Sequence, residues 1–407
     1  MIRLDKAQSI MRSSDRADLN VESVSLDKAL SRVSAIDVFS GLDIPPANNS
    51  AMDGIAVRLQ DVSIGKPMTI SQRIPAGTKP SKLEHGTAAR IFTGAHLPEG
   101  ADTVVIQENC EFGGTSEPVS GSNGFVSVSQ LPIFGANIRP MGQDIRTGAL
   151  VIKKGQRLNS IDLSLLASIG KSHVSVFEQL KVAIFSTGDE LVDPGVPLQE
   201  GQIYNSNRPL LMGLCTQMGY LPIDCGIVDD TLEATKEALI ATSERAHIIL
   251  SSGGVSVGEE DHIKPAIESI GSLDMWKVLI KPGKPVAFGK VNDALFLGLP
   301  GNPVSSFVVF QLLAVPLLRA LQGELEAISK PFSVEAGFQK PVTSREEYIR
   351  VKLHAKGGKL IAERFANLSS GVLSSLSWAD GLVRHEIDTS IEEGGIVDFF
   401  PLREAML

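Results

Sequence analysis

The sequence predicts a multidomain α/β plus β protein. The expected parts are a doubly wound parallel-sheet domain, an inserted β-rich domain, a mixed N-terminal domain and a C-terminal β-barrel-like domain. Three observations carry this expectation. From Val182 onward, short apolar runs alternate with helical periods: VAIFS, a helix over 205–218, a strand over 222–228, a helix over 232–244. That is the rhythm of a parallel sheet covered on both faces. Between Asn48 and Arg139, strands too short to be helices are separated by Gly, Pro, Asn and Asp. After Lys330-Pro331 the chain turns β-rich again, with Gly and Ser between the strands, as in a small barrel or sandwich. The expected boundaries are 1–44 with 140–176 for the mixed linking domain, 45–139 for the insertion, 177–329 for the α/β domain and 330–407 for the last.

In chain order, residues 4–11 have the pattern of a short amphipathic helix, 26–33 of a second helical segment and 35–39 of a strand entry. Pro45-Pro46 breaks the chain, and the loop NNSAMDG (48–54) opens the insertion, whose strands are expected at 68–74, 87–93, 102–107 and 124–131. Mixed structure returns over 141–154, and a helix over 161–169 is capped by Asn159 or Ser160. The α/β block follows, ending in an apolar helix over 304–321. The last domain should hold strands at 332–338, 348–354, 359–364 and 396–400.

Composition limits the function. The 407 residues are 43% hydrophobic and 21% charged, ordinary values for a soluble globular protein. The net charge of -9 argues against a general nucleic-acid binder, which would carry a basic surplus. Cys110, Cys215 and Cys225 have neither pairing nor metal-ligand spacing, which suits free thiols in a reducing compartment. The first 19 residues carry scattered charges and no apolar core of a signal peptide. The apolar stretch 305–321 is interrupted by Gln311, Pro316 and Arg319, which fits a buried helix rather than a membrane span. A cytoplasmic protein without membrane contact is expected.

In a parallel α/β sheet, ligands bind outside the carboxyl ends of the strands, so the loops there are the place to look for chemistry. They read STGDE (186–190), Asp229-Asp230, SSGGVSVGEED (251–261) and LPGNP (299–303). The third follows the buried run AHIIL and precedes a helix with Ile263, Ala266, Ile267 and Ile270 in phase. Strand, glycine-serine loop and helix present backbone N–H groups to an anion. Acids in a first helical turn are good dipole partners and often nothing more. A loop ending in carboxylates also fits a site where Mg²⁺ bridges protein acids and a phosphate. Acids stand at three of the four edges, Glu190, Asp230 and Asp261, and a solvated surface has no reason to put them at strand ends only.

WKVLIKPGKP (276–285) supplies cations. Val278, Leu279 and Ile280 favour an extended chain that Pro282 ends. In a strand, Lys277 and Lys281 would share a face about 13 Å apart and so meet different oxyanions, or opposite ends of one long ligand. Lys284, beyond the Pro-Gly turn, can fold back toward Lys281. Solvated lysines on an edge strand are the plain alternative.

Taken together, SAMDG (50–54), RIFTGAHLPEGADTVV (90–105), STGDEL, SGGVSVGEED, KPGKP and GLPGNPVS resemble one family, the molybdopterin molybdenumtransferases: MoeA proteins and gephyrin E domains. The match runs along essentially the whole chain in the family's order. The resemblance implies a molybdopterin-binding-like α/β domain and a homodimer whose active site is shared between subunits. It also implies Mg²⁺-dependent transfer of molybdenum from molybdate to adenylylated molybdopterin, with release of AMP, in the final step of molybdenum cofactor biosynthesis. A transient contact with the molybdopterin adenylyltransferase goes with that chemistry.

By the same resemblance, Glu190, Asp230 and Asp261 match the α/β-domain acids, the last two being the metal ligands. Lys277, Lys281, Lys284, Ser256 and the Pro300 to Pro303 loop with Ser305 match positions that handle oxyanion and nucleotide. Asp53 and Thr93 match those of the inserted domain. Arg345 or Arg350, and a serine of Ser374-Ser375, taken as Ser375, correspond to the remaining molybdate ligands. The chemistry suits molybdate, a small dianion, since each charge-assisted hydrogen bond contributes about 1.5–3 kcal/mol. Two alternatives stand beside it. One is the molybdopterin adenylyltransferase, whose single domain resembles the α/β block. The other is a non-catalytic, gephyrin-like scaffold, which would tolerate loss of the acids.

Overall fold

The computed structural model describes residues 1–13, 17, 19–113, 124–255, 262–325 and 330–402. The chain divides into two compact units. The first comprises Met1–Ile36, Lys154–Asn159 and His173–Leu407; the second comprises Asp37–Lys153 and Ser160–Ser172.

The second unit is built on a six-stranded sheet in the order Thr103–Ile106, Gly54–Val57, Thr87–Ile91, Met68–Ile74, Phe125–Val128, Cys110–Gly113. Side chains alternate across its pleat. Ile55 and Val57 join Met68, Val105 and Val126 on one face, while Ala56 joins Ile74, Ile91 and Val104 on the other. Gly54 leaves room for its neighbour, because a Cβ there would collide with the Val105 carbonyl.

In the first unit the chain returns to its own beginning: Val21–Ser25 lies antiparallel to His173–Phe177. The helix expected over 26–33 is only the short 3₁₀ turn Leu26–Lys28. Arg32 is nearly buried, bonding Glu22 and the Phe177 carbonyl, and Ser31 has a positive φ of 62°. These contacts overrode the weak helical pattern.

The α/β sheet has the order Leu221–Val228, Lys181–Thr187, Ile248–Ser252, Ala294–Leu299, Pro285–Val291, Gly271–Lys277. The first four strands are parallel. The last two run antiparallel to their neighbours. The cause is the two-residue turn Asn292-Asp293 between Val291 and Ala294, with Asn292 at φ 51°, a hairpin signal that is also present in the sequence. Val182, Ile184, Leu250 and Leu297 pack on one face with Leu211, Phe307 and Leu318. Ala183, Phe185, Ile249 and Phe296 pack on the other with Leu239, Ile263 and Ile267. The sheet is therefore covered on both sides.

The apolar helix of this domain runs Pro303–Val309, passes through a π turn at Phe310–Ala314 and continues as Val315–Leu321. It is long and apolar enough to cross a membrane, yet 83% of its most apolar window is buried within the protein. The π turn precedes Pro316, which has no N–H to give to the Leu312 carbonyl. Gln8, from the helix Leu4–Arg12, donates its Nε2 to that carbonyl at 2.9 Å.

The remaining residues form a closed five-stranded barrel. Glu346–Lys356 pairs with both Lys359–Arg364 and Gly381–His385, and Phe332–Ala336 and Ile396–Pro401 complete the ring. The strand Gly381–His385 is missing from the sequence-based expectation. Its core includes Val334, Ile349, Val351, Val383 and Phe399.

The Gln8 bond has a measurable consequence. Gln8→Ala leaves a carbonyl without that donor inside the longest helix. It is expected to lower stability by about 1–2 kcal/mol, seen as a lower denaturant midpoint at unchanged m-value. An unchanged midpoint would show that the π turn satisfies Leu312 by itself.

Candidate active site

The carboxyl ends of the four parallel strands surround a cavity of about 510 Å³. Thr187, Gly188 and Glu190 enter it from the first strand, Asp230 from the second, Ser252 to Val255 from the third and Pro300 to Pro303 from the fourth. The segment Tyr204 to Asn207 and Pro285 close the remaining sides. Of the candidates named from sequence, Glu190, Asp230, Pro300 and Pro303 thus share one cavity. Ser256 and Asp261 lie outside the described residues.

Backbone geometry explains the glycines. Gly253 has φ 97°, and a Cβ on it would stand 2.5 Å from the Thr187 carbonyl. Gly188, at φ 143°, leaves the space that the Glu190 carboxylate occupies. Only glycine at 253 allows its loop to approach Thr187 so closely. Asp230 donates its N–H to the Asp189 carboxylate at 3.4 Å. Thr231, next in the chain, caps the helix Leu232–Ser243 through its side chain, which fixes the loop end that bears Asp230.

The wall contains groups that the sequence did not reveal as functional. Asn207 donates to the Ser252 hydroxyl at 2.8 Å and to the Gly301 carbonyl at 2.6 Å, lacing two loops together. Asn205 accepts from the Arg208 N–H at 3.2 Å. Both asparagines and Thr187 are more than nine-tenths buried. Yet Thr187 Oγ1, Asn205 Nδ2 and Asn207 Oδ1 have no hydrogen-bond partner among the described residues. An unmet donor beside an unmet acceptor suits a ligand that offers both. From sequence, residues 205–218 read as one helix, which hid this role; the helix begins only at Asn207.

The lysines divide between two sheets. Lys277 ends the edge strand Gly271–Lys277, whereas Ile280–Lys281 pairs with the barrel strand Glu346–Lys356. The extended run is real but changes partners midway. Gly283, at φ 110°, turns the chain so that the Lys284 carbonyl accepts from the Val278 N–H at 3.2 Å. Lys281 lies 3.3 Å from the Glu347 carboxylate. Arg345 donates to the Ile280 carbonyl at 3.3 Å, so it stands at the same junction.

Arg350 and Ser375 are placed differently. Arg350 is 1% exposed, and its Nε donates to the Ser375 hydroxyl at 3.0 Å. Its Nη2 donates to the Asn367 and Ser369 carbonyls, both at 3.1 Å. The pair is internal to the barrel and its attached loop, outside the lining of the cavity. Ser305 is buried in the first turn of its helix and does not line the cavity either.

In the second unit, Asp53 accepts from both the hydroxyl and the N–H of Thr93, at 2.7 and 2.8 Å. Those bonds, led by the hydroxyl, hold the Asp53 carboxyl below its usual range.

Comparison with known proteins agrees along the chain. Residues 2–170 match the MoeA N-terminal region (domain I and II), 183–320 a probable molybdopterin binding domain, and 337–402 the MoeA C-terminal region (domain IV). A molybdopterin molybdenumtransferase of Haemophilus influenzae is 41% identical over 329 residues, covering 80% of this chain and 78% of the relative. The chain belongs to the molybdopterin molybdenumtransferase family. It is thus an enzyme of molybdenum cofactor biosynthesis. A Nostoc molybdopterin molybdenumtransferase is 38% identical over 352 residues, 83% of this chain and 78% of its own. A solved MoeA structure from Pyrococcus horikoshii covers 99% of both chains with a TM-score of 0.80 at 31% identity. The single-domain alternative leaves the matched regions at 2–170 and 337–402 without a counterpart.

Asn207→Ala would leave the Ser252 hydroxyl and the Gly301 carbonyl without that donor. It should cost about 1–3 kcal/mol, read by chemical denaturation, and should lower turnover by loosening both loops. Wild-type stability would remove Asn207 from the framework of the cavity.

Proposed function

We propose that this enzyme transfers molybdenum from molybdate to adenylylated molybdopterin with release of AMP, as the final step of molybdenum cofactor biosynthesis. The observation that supports this most is the meeting of Glu190 and Asp230 with three unmet, buried polar atoms at the carboxyl edge of the sheet. Such a cavity suits one end of a ligand that carries both hydrogen-bonding and phosphate groups. The lysine-rich turn suits the oxyanion.

The acids also bear on the metal. Among the described residues no three His, Cys, Asp or Glu side chains gather as a closed metal site. The charged side chains that line the cavity are the carboxylates Glu190 and Asp230. Mg²⁺ is commonly held by one or two carboxylates together with substrate phosphates, so this donor set fits Mg²⁺ shared between protein and ligand. Asp230, with Asp261, would hold it. When bound, Mg²⁺ supplies charge neutralisation on a phosphoanhydride. The chain's own residues do the rest: Asn205, Asn207 and Thr187 orient the ligand, and Lys281 and Lys284 hold the molybdate. We propose further that the enzyme works as a homodimer, with Asp53 and Thr93 acting on the partner's site, and that the pterin comes from the molybdopterin adenylyltransferase by transient contact.

Glu190→Ala and Asp230→Ala should stay folded, because both residues stand on loops, and should lose most Mg²⁺-dependent AMP release. Near-normal release by Asp230→Ala would rule out its metal role. An inactive Asp53 variant mixed with inactive Glu190→Ala should recover activity after subunit exchange, and failure with heterodimers present would count against a shared site.

The lysines should separate by ligand. Lys281→Ala and Lys284→Ala are expected to raise the molybdate concentration for half-maximal rate roughly tenfold or more. Lys277→Ala should instead weaken use of the pterin nucleotide. Equal shifts in one ligand for all three would overturn the division.

A further inference from the structure

Beside Lys281 stands a carboxylate that no motif singled out. Glu347 belongs to the barrel strand Glu346–Lys356 and is 4% exposed. Its two oxygens accept from Lys340 Nζ at 2.9 and 2.8 Å. One of them also lies 3.3 Å from Lys281 Nζ. The backbones hold these side chains in register. Ile280–Lys281 runs parallel to Glu346–Glu347 with Lys281 opposite Glu347, and the Glu346 N–H donates to the Leu279 carbonyl at 3.1 Å.

The two lysines differ in surroundings. The Lys340 side chain is 15% exposed and that of Lys281 is 46% exposed. Burial alone would push the Glu347 carboxyl upward, but the Lys340 hydrogen bonds and charge, with Lys281 behind them, bring it below its ordinary value. Lys340 therefore balances the buried charge through both oxygens. Lys281 is the outer member of the trio. An ammonium has three N–H donors, so contact with one oxygen leaves donors and a net positive charge for an anion from solvent.

We propose that Glu347 is a positioning residue for Lys281. Lys340 keeps Glu347 ionised, and Glu347 holds the Lys281 ammonium in one place on a flexible four-carbon stem. The trio thus turns a mobile surface lysine into a fixed anion ligand. This rests on the assignment of Lys281 to the oxyanion made above.

A double-mutant cycle tests it. Glu347→Gln, Lys281→Ala and the double variant are assayed for molybdate and pterin-nucleotide dependence, with thermal unfolding as a check on the fold. Glu347→Gln is expected to raise the KM for molybdate roughly tenfold, with the pterin-nucleotide KM and kcat nearly unchanged. In the Lys281→Ala background it should add less than about twofold, because a positioning residue has nothing left to position. Equal effects in both backgrounds, or a normal molybdate KM in Glu347→Gln while Lys281→Ala raises it, would overturn the proposal alone. A normal molybdate KM in Lys281→Ala would instead overturn the oxyanion assignment beneath it. Should Glu347→Gln fail to fold, Glu347→Asp keeps the buried negative charge but draws the carboxylate back from Lys281. It too should raise the molybdate KM, and wild-type behaviour there would sink the idea.

Discussion

Burial on both faces of the parallel strands governs this protein. Val182 to Phe185 and Ile248 to Leu250 are fully buried, and their alternating side chains fill two separate cores. Nothing polar can be accommodated along such strands without a partner, so the chemistry collects where they end. Hydroxyls at Ser186, Thr187, Ser251 and Ser252 mark the change from core to site within a residue or two. The loops that follow can approach each other because glycines stand where a Cβ would strike a carbonyl. The cavity is what that close approach leaves.

The features legible in the sequence were those tied to periodicity and to strand ends. The parallel strands, the loops after them and the acids Glu190 and Asp230 follow from apolar runs and their punctuation. The Asn292-Asp293 turn stands in the sequence too, but no strand is expected over 285–291 to make it a hairpin. Asn205 and Asn207 were hidden for a different reason. Both fall within the stretch that reads as a helix, and only the fold brings Asn207 to Ser252 and Gly301.

The C-terminal domain shows the limit most clearly. Arg345 and Arg350 stand five positions apart in SREEYIR, and nothing local distinguishes them. The fold sends Arg350 inside to bond Ser375 and two carbonyls, and leaves Arg345 beside the lysine-bearing segment. Glu347 belongs to no motif in the sequence, and becomes a buried counter-ion only when Lys340 and Lys281 reach it from elsewhere. Long-range charge pairing leaves no periodic trace.

The segment from Lys277 to Lys281 has a mechanical meaning as well. Lys277 is the last residue of one sheet and Ile280 the first to pair with another, with Val278 and Leu279 between them. Those two are tied on either side as well, Val278 to Lys284 and Leu279 to Ile2 and Glu346. A joint so short and so fully bonded has no slack in which to pivot. The barrel therefore cannot swing away from the α/β domain as a lid does without breaking strand pairs. The lysine-bearing strap acts as a fixed strut between the two sheets.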